Sequence, residues 1–593
     1  MNREHFLKQT LGITALAILS PVANKLFANT VTNGAGQTFS KEELFERMVK
    51  ANDRVVQQLL DVEKRGAFGR RVGYEFAALV SCYVAEGSEY YHQPAIIPAL
   101  EKIVTQLLAV QAPDGTVSIG NLESPPDTAF LLEPLCAGAK ILGEYNAPGS
   151  SEIQEKIKTF ITNAAKALTT GGVHTPNHRW VISAALAQIN ELYPNKKYVA
   201  RIDEWLSEGV FNDADGHYPE RSMTYSFVEN RAFLTMGRLL NRPALFVPVR
   251  KNLQMSYYYM DPGGDLVTTD SRRQDQYMAR TIVSWYPLYR TLAIIDKNPT
   301  FAAVAKYIES LPDFEKTVVD AALFQFLDTP LLQKEMPTPE VLPVNYEKLF
   351  TTSHLARIRK GDTTTTIFGG IDWPITIASG RSNSPNFFAY RKGKAQLKYL
   401  RLSSEFFSMG YFYSQGLKKQ GNQYILHKKL QVPYYQPLPK NLRKASGDYT
   451  LSPSIDDRFW NKMAFDKRPV SNLKKLETTV TVSETGGRTE LQFNVTGMQG
   501  VAVTIELCFR EGGEISGVKT MEGQPKNYFL ENEEGKYEYM GDTIHFGPGV
   551  NAGKLPVNIE GERYSTHFGT LRTEGIHVYL TGTTPFEHKL YFY

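Results

Sequence analysis

Cysteine is nearly missing. Three residues in 593, Cys82, Cys136 and Cys508, cannot build a disulfide framework, and their spacings match no zinc knuckle. Cys82 and Cys136 sit in apolar helical stretches, where a free thiol is ordinarily buried and inert. A surplus of charge is missing as well. The formal net charge is only +4, with no long basic run and no RNA-binding signature, so nucleic acid is excluded as a partner. The slight excess of Lys and Arg suits an acidic partner instead. Beyond the N-terminus no segment has the length and apolarity to span a bilayer.

What is present is ordinary for a soluble globular chain: 42% hydrophobic and 22% charged residues, with aromatics at 12%. The 32 Tyr and 32 Phe mostly serve cores, and the remainder are available to stack on sugar rings. At this length one hydrophobic core no longer suffices, so two or more domains are expected.

Residues 1–30 read as an export signal. Arg3 and Lys8 precede the short apolar run "TLGITALAILS", and small residues follow near "FANT". The string "NREHFLK" is similar to a twin-arginine signal, with Glu4 where the second Arg stands. The alternative is an amphipathic N-terminal helix. The signal reading implies a periplasmic or secreted protein.

From Lys41 to about Pro330 the apolar residues recur at helical spacing. In "PAIIPALEKIVTQLLAVQAPDG" the stripe is Ile97, Leu100, Val104, Leu107 and Leu108, opened by Pro94 and closed by Pro113-Asp114-Gly115. Similar segments follow, joined by Gly- and Pro-bearing loops, and suggest helical hairpins closed into an α/α toroid over residues 38–335. An open solenoid is the other solution, but no fixed repeat favours it. Residues 336–346, with "MPTPEVLPVN", form a linker. Residues 347–593 change to a period of two, as in "TELQFNVTG" and "VAVTIELCF", which predicts an antiparallel β-sandwich.

Two stretches stand out chemically. In "HTPNHRWVISAALA" Thr175 is an N-cap and Pro176 the first helical residue, so Asn177 and His178 fall in the first turn. Local capping alone accounts for such a pair. The second stretch, "DADGHYPERSMTY", runs from Asp213 to Tyr225 into another helix. A calcium loop is rejected, because Tyr218 occupies the turn-glycine position and Thr224 the bidentate acidic one. Glu220 and Arg221 are either a surface ion pair or part of a site.

Asn177-His178 and the segment Asp215-Gly216-x-Tyr218-x-Glu220-Arg221-Ser222-x-x-Tyr225 together resemble the toroid polysaccharide lyases of the heparinase II/III and alginate lyase type. Within that group, "SPPDTAF" and "TPNHRW" are most similar to L-rhamnose-α-1,4-D-glucuronate lyases acting on arabinogalactan side chains. The resemblance implies a toroid preceding a β-sandwich and β-elimination on a uronic-acid glycan. It makes Asn177 the group that neutralises the substrate carboxylate, His178 a base or its partner, and Tyr225 the acid. Alginate-type members also use a β-domain histidine, and His354 in "TTSHLARI" is its candidate counterpart.

The chemistry fits those residue types. A lyase removes the C5 proton of a uronate and expels the substituent on O4. Donors that neutralise the carboxylate stabilise the charge that grows in the transition state. Asn177, Arg221 and the helix N-terminus under Asn177 supply such help. Tyrosine, with a reference pKa of about 10, becomes a base only beside cations. In a glucuronate the C5 hydrogen and O4 share a ring face, and Tyr225 serves as base and acid. In an iduronate, galacturonate or guluronate they oppose, and His178 takes the proton while Tyr225 protonates the leaving group.

Substrate-binding candidates are Glu220, Arg221 and, on a loop, Arg272 and Arg273, the last two being equally well solvated surface charges. Arg381, Asn383 and Asn386 in "SGRSNSPNFF" line a cleft or a plain hairpin loop. The expected partner is an acidic polysaccharide or oligosaccharide. No cofactor is required for elimination, and a structural divalent cation remains compatible. Two rival functions stay open. A toroid glycoside hydrolase would use carboxylates such as Asp127, Glu133, Asp215 and Glu220. A non-catalytic glycan-binding protein would use the aromatics as a platform.

Overall fold

A computed structural model describes residues 40–61, 68–370, 384–407, 411–453, 460–531, 533–550 and 574–593. The export-signal segment, Arg381 and Asn383 lie outside the described residues. The chain divides into two compact units. The first runs to Met260 and adds Gly264–Leu266 and Arg280–Leu342; the second comprises Pro343–Tyr593 with Asp261–Gly263 and Val267–Ala279.

The first unit is helical: α1 (Lys41–Leu60), α2 (Arg71–Val84), α3 (Ile96–Val110), α4 (Pro125–Glu144), α5 (Ser151–Thr170), α6 (Pro176–Leu192), α7 (Lys196–Ser207), α8 (Met223–Leu239), α9 (Phe246–Tyr258), α10 (Tyr286–Asp296), α11 (Pro299–Glu309) and α12 (Leu323–Asp328). Several starts have a local cause. Ser40 and Glu43 form a reciprocal capping box on α1, and proline occupies the first turn of α4 and α6. On α3 the buried face includes Ile96, Leu100, Ile103, Val104 and Leu107. The helix begins at Ile96, two residues after Pro94, and its core stripe is turned relative to the expected one, leaving Ile97 and Leu108 half-buried.

Helices α2, α4, α6 and α8 neighbour one another in that order, with α3, α5 and α7 flanking the row. The approach of α2 to α4 requires small residues. A Cβ on Gly73 would stand 2.8 Å from the Leu131 carbonyl oxygen, and one on Gly138 2.8 Å from the Phe76 ring. Finally α12 packs on α1, α2 and α4, while Asn52 Nδ2 on α1 donates to the Val319 carbonyl at 3.3 Å. The row therefore closes on itself as an α/α toroid.

The second unit is a sandwich of a nine-stranded and an eight-stranded sheet. Pairing is antiparallel in both, except that Asn527–Phe529 runs parallel to Ile576–Thr583. The period of two is visible in Arg488–Gly497, where Leu491, Phe493 and Val495 turn inward and Gln492 and Asn494 do not. Val503, Ile505, Leu507 and Phe509 fill the core from the other sheet.

The three cysteines are free and buried. Burial pushes the Cys82 and Cys136 thiols far up, as inert thiols require. Cys508 differs: its Sγ lies 3.9 Å from His577 Nε2, whose Nδ1 lies 2.8 Å from Glu506. Burial opposes ionisation, yet His577 outweighs it and holds this thiol below the usual range.

A buried ionic knot anchors the second unit. Asp261 receives Arg357, lies 3.7 Å from Arg391, and accepts from the Thr364 hydroxyl at 3.0 Å. Burial raises this carboxyl's pKa, but the two guanidiniums outweigh burial and hold it below the ordinary carboxylate value. Asp261→Asn leaves two buried cations uncompensated and is expected to cost about 3–5 kcal/mol in denaturant unfolding. In the wild type this contribution is present above the unfolded carboxylate pKa and is lost as pH falls through the depressed one. The variant's stability should lack that acid-side slope.

Candidate active site

The site is built where α6 and α8 begin. Thr175 is extended and Pro176 opens α6, as the sequence predicts. The cap itself is different from the expected one. No backbone N–H reaches the Thr175 hydroxyl. Instead the Glu220 carboxylate, 43 residues away in the chain, accepts the Asn177 backbone N–H at 3.2 Å and its side-chain Nδ2 at 2.7 Å through one oxygen. An anion at a helix N-terminus is favoured by the orphan amides and the dipole there.

That contact fixes the orientation of Asn177. An ionised carboxylate only accepts, so the amide must turn its nitrogen toward Glu220. The second N–H goes to the Thr175 hydroxyl at 3.2 Å. The carbonyl Oδ1 is left buried with no hydrogen-bond partner among the described residues, on a side chain that is 0% exposed. A buried acceptor without a protein partner is costly, and a water or a ligand hydroxyl can complete its bonding. His178 follows at the third helical position, half-buried, its ring edge-on to His174 at 4.8 Å and to Phe130 at 6.3 Å.

The segment leading to α8 is rigid by construction. The Asp213 carboxylate accepts the backbone N–H groups of Asp215, Gly216 and His217 at 2.8–3.0 Å, so it shapes a turn. Gly216 has φ +104, and a Cβ there would meet the Lys251 carbonyl at 2.8 Å. His217 Nε2 lies 3.0 Å from the Tyr259 hydroxyl. Tyr218 donates to Asn230 at 2.8 Å, Asn230 to Asn252 at 2.7 Å, and Asn252 back to the Gly216 carbonyl at 2.9 Å. Burial, with Glu229 nearby, pushes the Tyr218 phenol well above its usual range, so it stays a neutral donor. These buried partners are absent from the sequence reading. The Asp-Gly-x-Tyr pattern pointed to the loop but not to α9 as its anchor.

Glu220 and Arg221 are both buried, at 5% and 6% exposure, which rules out a surface ion pair. Arg221 has φ +44, a left-handed conformation that a branched-free side chain adopts only under constraint. Ser222 then caps α8 by accepting the Tyr225 backbone N–H at 3.2 Å. Tyr225 is buried at the third position of α8. Because Glu220 bonds the start of α6 and lies two residues before the cap of α8, both helices begin at the same end of the ring. A cation not singled out in the sequence stands there too: Arg280 Nε donates to the Thr224 hydroxyl at 2.9 Å, next to Tyr225.

The remaining basic and polar candidates are assigned to the second unit. Arg272 and Arg273 belong to the second unit; Arg273 is buried and its backbone N–H bonds Ser271. His354 is an exposed residue of that unit, and Asn386 is buried, accepting from Arg401 at 2.6 Å. Three of the four carboxylates suggested for hydrolysis are engaged. Asp127 is held by Arg70 and by Asn121 at 2.9 Å, Glu133 pairs with Arg231 at 2.6 Å, and Glu220 holds Asn177. Among the described residues no cluster of three or more His, Cys, Asp or Glu is placed to bind a metal, and no helix is long and apolar enough to cross a membrane.

No protein-family model and no curated protein matches the chain. Solved structures do. The fold is similar to that of chondroitin AC lyase from Streptomyces coelicolor A3, solved in complex with chondroitin sulphate, with 12% identity and TM-score 0.52 over 99% of this chain and 82% of that one. It is similar to heparinase III, at 12% identity and TM-score 0.50 over 87% and 80%. A Paenibacillus xanthan lyase gives 11% and 0.50 over 94% of this chain and 57% of that one. At such identity these likenesses establish a shared architecture of α/α toroid and β-sandwich.

Proposed function

We propose that this protein is an exported polysaccharide lyase that cleaves a uronic-acid-containing glycan by β-elimination. One observation carries the reading: Glu220 pins Asn177 at the N-terminus of α6, with its carbonyl buried and unpartnered among the described residues, at the end of the ring where Tyr225 stands in the first turn of α8. The solved structures of similar fold support it, since their names are those of lyases for acidic glycans.

The steps follow from these groups. The substrate carboxylate takes over the Asn177 N–H that now rests on the Thr175 hydroxyl, the one side-chain donor of Asn177 not held by a charge. The Asn177 carbonyl accepts from a substrate hydroxyl. Together with the α6 dipole and Arg221, this lowers the cost of charge on the C5 carbanion. With the Arg280 cation held on Thr224, the chain neighbour of Tyr225, Tyr225 takes the C5 proton and returns it to O4 in a syn elimination. In the anti case His178 removes the proton and Tyr225 protonates the leaving oxygen. No cofactor enters either route. Within the uronate class, the rhamnosyl-glucuronate linkage of arabinogalactan side chains is the first substrate to test, followed by heparin, chondroitin, alginate and ulvan.

Elimination leaves a C4–C5 double bond conjugated to the carboxylate. Incubation with the true substrate should therefore raise ultraviolet absorbance in step with new chain ends. New reducing ends without absorbance would identify a hydrolase, and binding without either signal a glycan-binding module.

A further inference from the structure

The second unit carries an exposed stretch that holds none of the residues proposed for elimination. Between the strands Gln423–Tyr435 and Val470–Thr485 the chain makes a long excursion. Of the eighteen large hydrophobic side chains that stand exposed among the described residues, seven fall between Tyr434 and Leu473. Trp460 is 64% exposed, Leu451 55%, Val470 52% and Tyr434 51%. Concentrated apolar exposure of this kind marks an interaction surface.

Charge is concentrated there as well. Residues 434–475 carry nine Lys and Arg against four Asp, a net +5 that exceeds the +4 of the whole chain. Lys462 pairs with Asp448 at 2.5 Å. Lys440, Lys467 and Lys475 are exposed and Lys474 half-exposed, and none has an acidic partner among the described residues. The excursion is held in place rather than trailing. Tyr435 and Phe465 stack at 4.7 Å, Arg443 donates to the Leu438 carbonyl at 2.7 Å, and Arg468 donates to the Met463 carbonyl at 2.7 Å. Trp460–Asn461 also pairs with Ser452–Pro453 as a small sheet.

We infer that this surface is an accessory binding site for an acidic polysaccharide, separate from the residues that perform elimination. Flat aromatic faces stack on the C–H faces of pyranose rings. Ammonium groups on flexible stems meet carboxylates or sulfates that recur along the polymer, without demanding one fixed geometry. A purely apolar partner would leave the lysines unmatched, and a neutral glycan would leave the charge unused. The inference depends on the proposed function only for the acidic character of the polymer. Its effect is to keep the enzyme on an insoluble or dilute substrate between cleavages.

The test uses the full chain carrying Tyr225→Phe, so that polymer is bound without being cut. Affinity electrophoresis in gels containing heparin or alginate should show retardation that falls as salt rises, and none in dextran. Trp460→Ala, and separately the triple change Lys440→Ala, Lys467→Ala and Lys475→Ala, should each weaken retardation about tenfold. Circular dichroism should remain unchanged. Undiminished retardation in both variants overturns the inference, as does equal retardation by single-stranded DNA. A monomer–dimer shift in sedimentation that Trp460→Ala abolishes overturns it in favour of self-association. Retardation that depends on these residues, in a wild-type chain that yields no absorbing product, refutes the lyase reading and leaves the surface standing.

Discussion

Tyr225→Phe is expected to lower the rate of uronate elimination by about 10³-fold or more while leaving the protein folded, since the phenol performs proton transfer and little else. The ring of Tyr225 is buried and its backbone N–H is held by Ser222, and phenylalanine retains both features. Loss of one buried hydroxyl should cost about 1 kcal/mol of stability, measured as a small fall in denaturation midpoint. Affinity for the polymer should persist, so kcat falls while KM changes little. An enzyme that keeps full activity without this hydroxyl would remove Tyr225 from the mechanism. His178→Ala in the same assay then separates the two stereochemical routes. It abolishes an anti elimination and only slows a syn one, in which the imidazole polarises Tyr225.

The limits of sequence reading at this site have a physical origin. The start of α6 was legible because proline acts locally. Pro176 is the first residue of α6, as its position behind Thr175 predicts. The partner of Asn177 was not legible. Glu220 is 43 residues distant and reaches it only because α6 and α8 are parallel neighbours in a closed ring. Adjacent opposite charges at 220 and 221 looked like a solvated pair. Both side chains are buried, which excludes such a surface arrangement. Arg280 was invisible for another reason. The chain from Met260 to Ile282 is largely irregular and crosses between the two units, so the arginines conspicuous in sequence, Arg272 and Arg273, are assigned to one unit and Arg280 to the other. Periodicity carried the architecture, while the site depends on contacts between elements far apart in sequence.

The Glu220–Asn177 contact predicts a specific pattern of coupling. Asn177→Ala should cut the elimination rate about 10²–10³-fold, the cost usually seen when one donor to a developing negative charge is removed. Glu220→Ala should come close to that loss, although Glu220 does not touch the reacting carbon. Without the carboxylate, nothing forces the Asn177 nitrogen to one side, and the amide can rotate to satisfy its own buried carbonyl. The double variant should then be scarcely slower than Asn177→Ala alone, because the second change removes an orientation that no longer matters. Glu220→Gln is the informative control. Its amide oxygen can still accept from Asn177 Nδ2, so most activity should return, whereas a role as acid or base would be lost with the carboxylate. Glu220→Ala should also cost about 1–3 kcal/mol of stability, since the Asn177 backbone N–H at the start of α6 loses its acceptor. Multiplicative losses in the double variant, or a Glu220→Gln enzyme as slow as Glu220→Ala, would show that Glu220 acts on the substrate directly and that the orientation of Asn177 is set by something else.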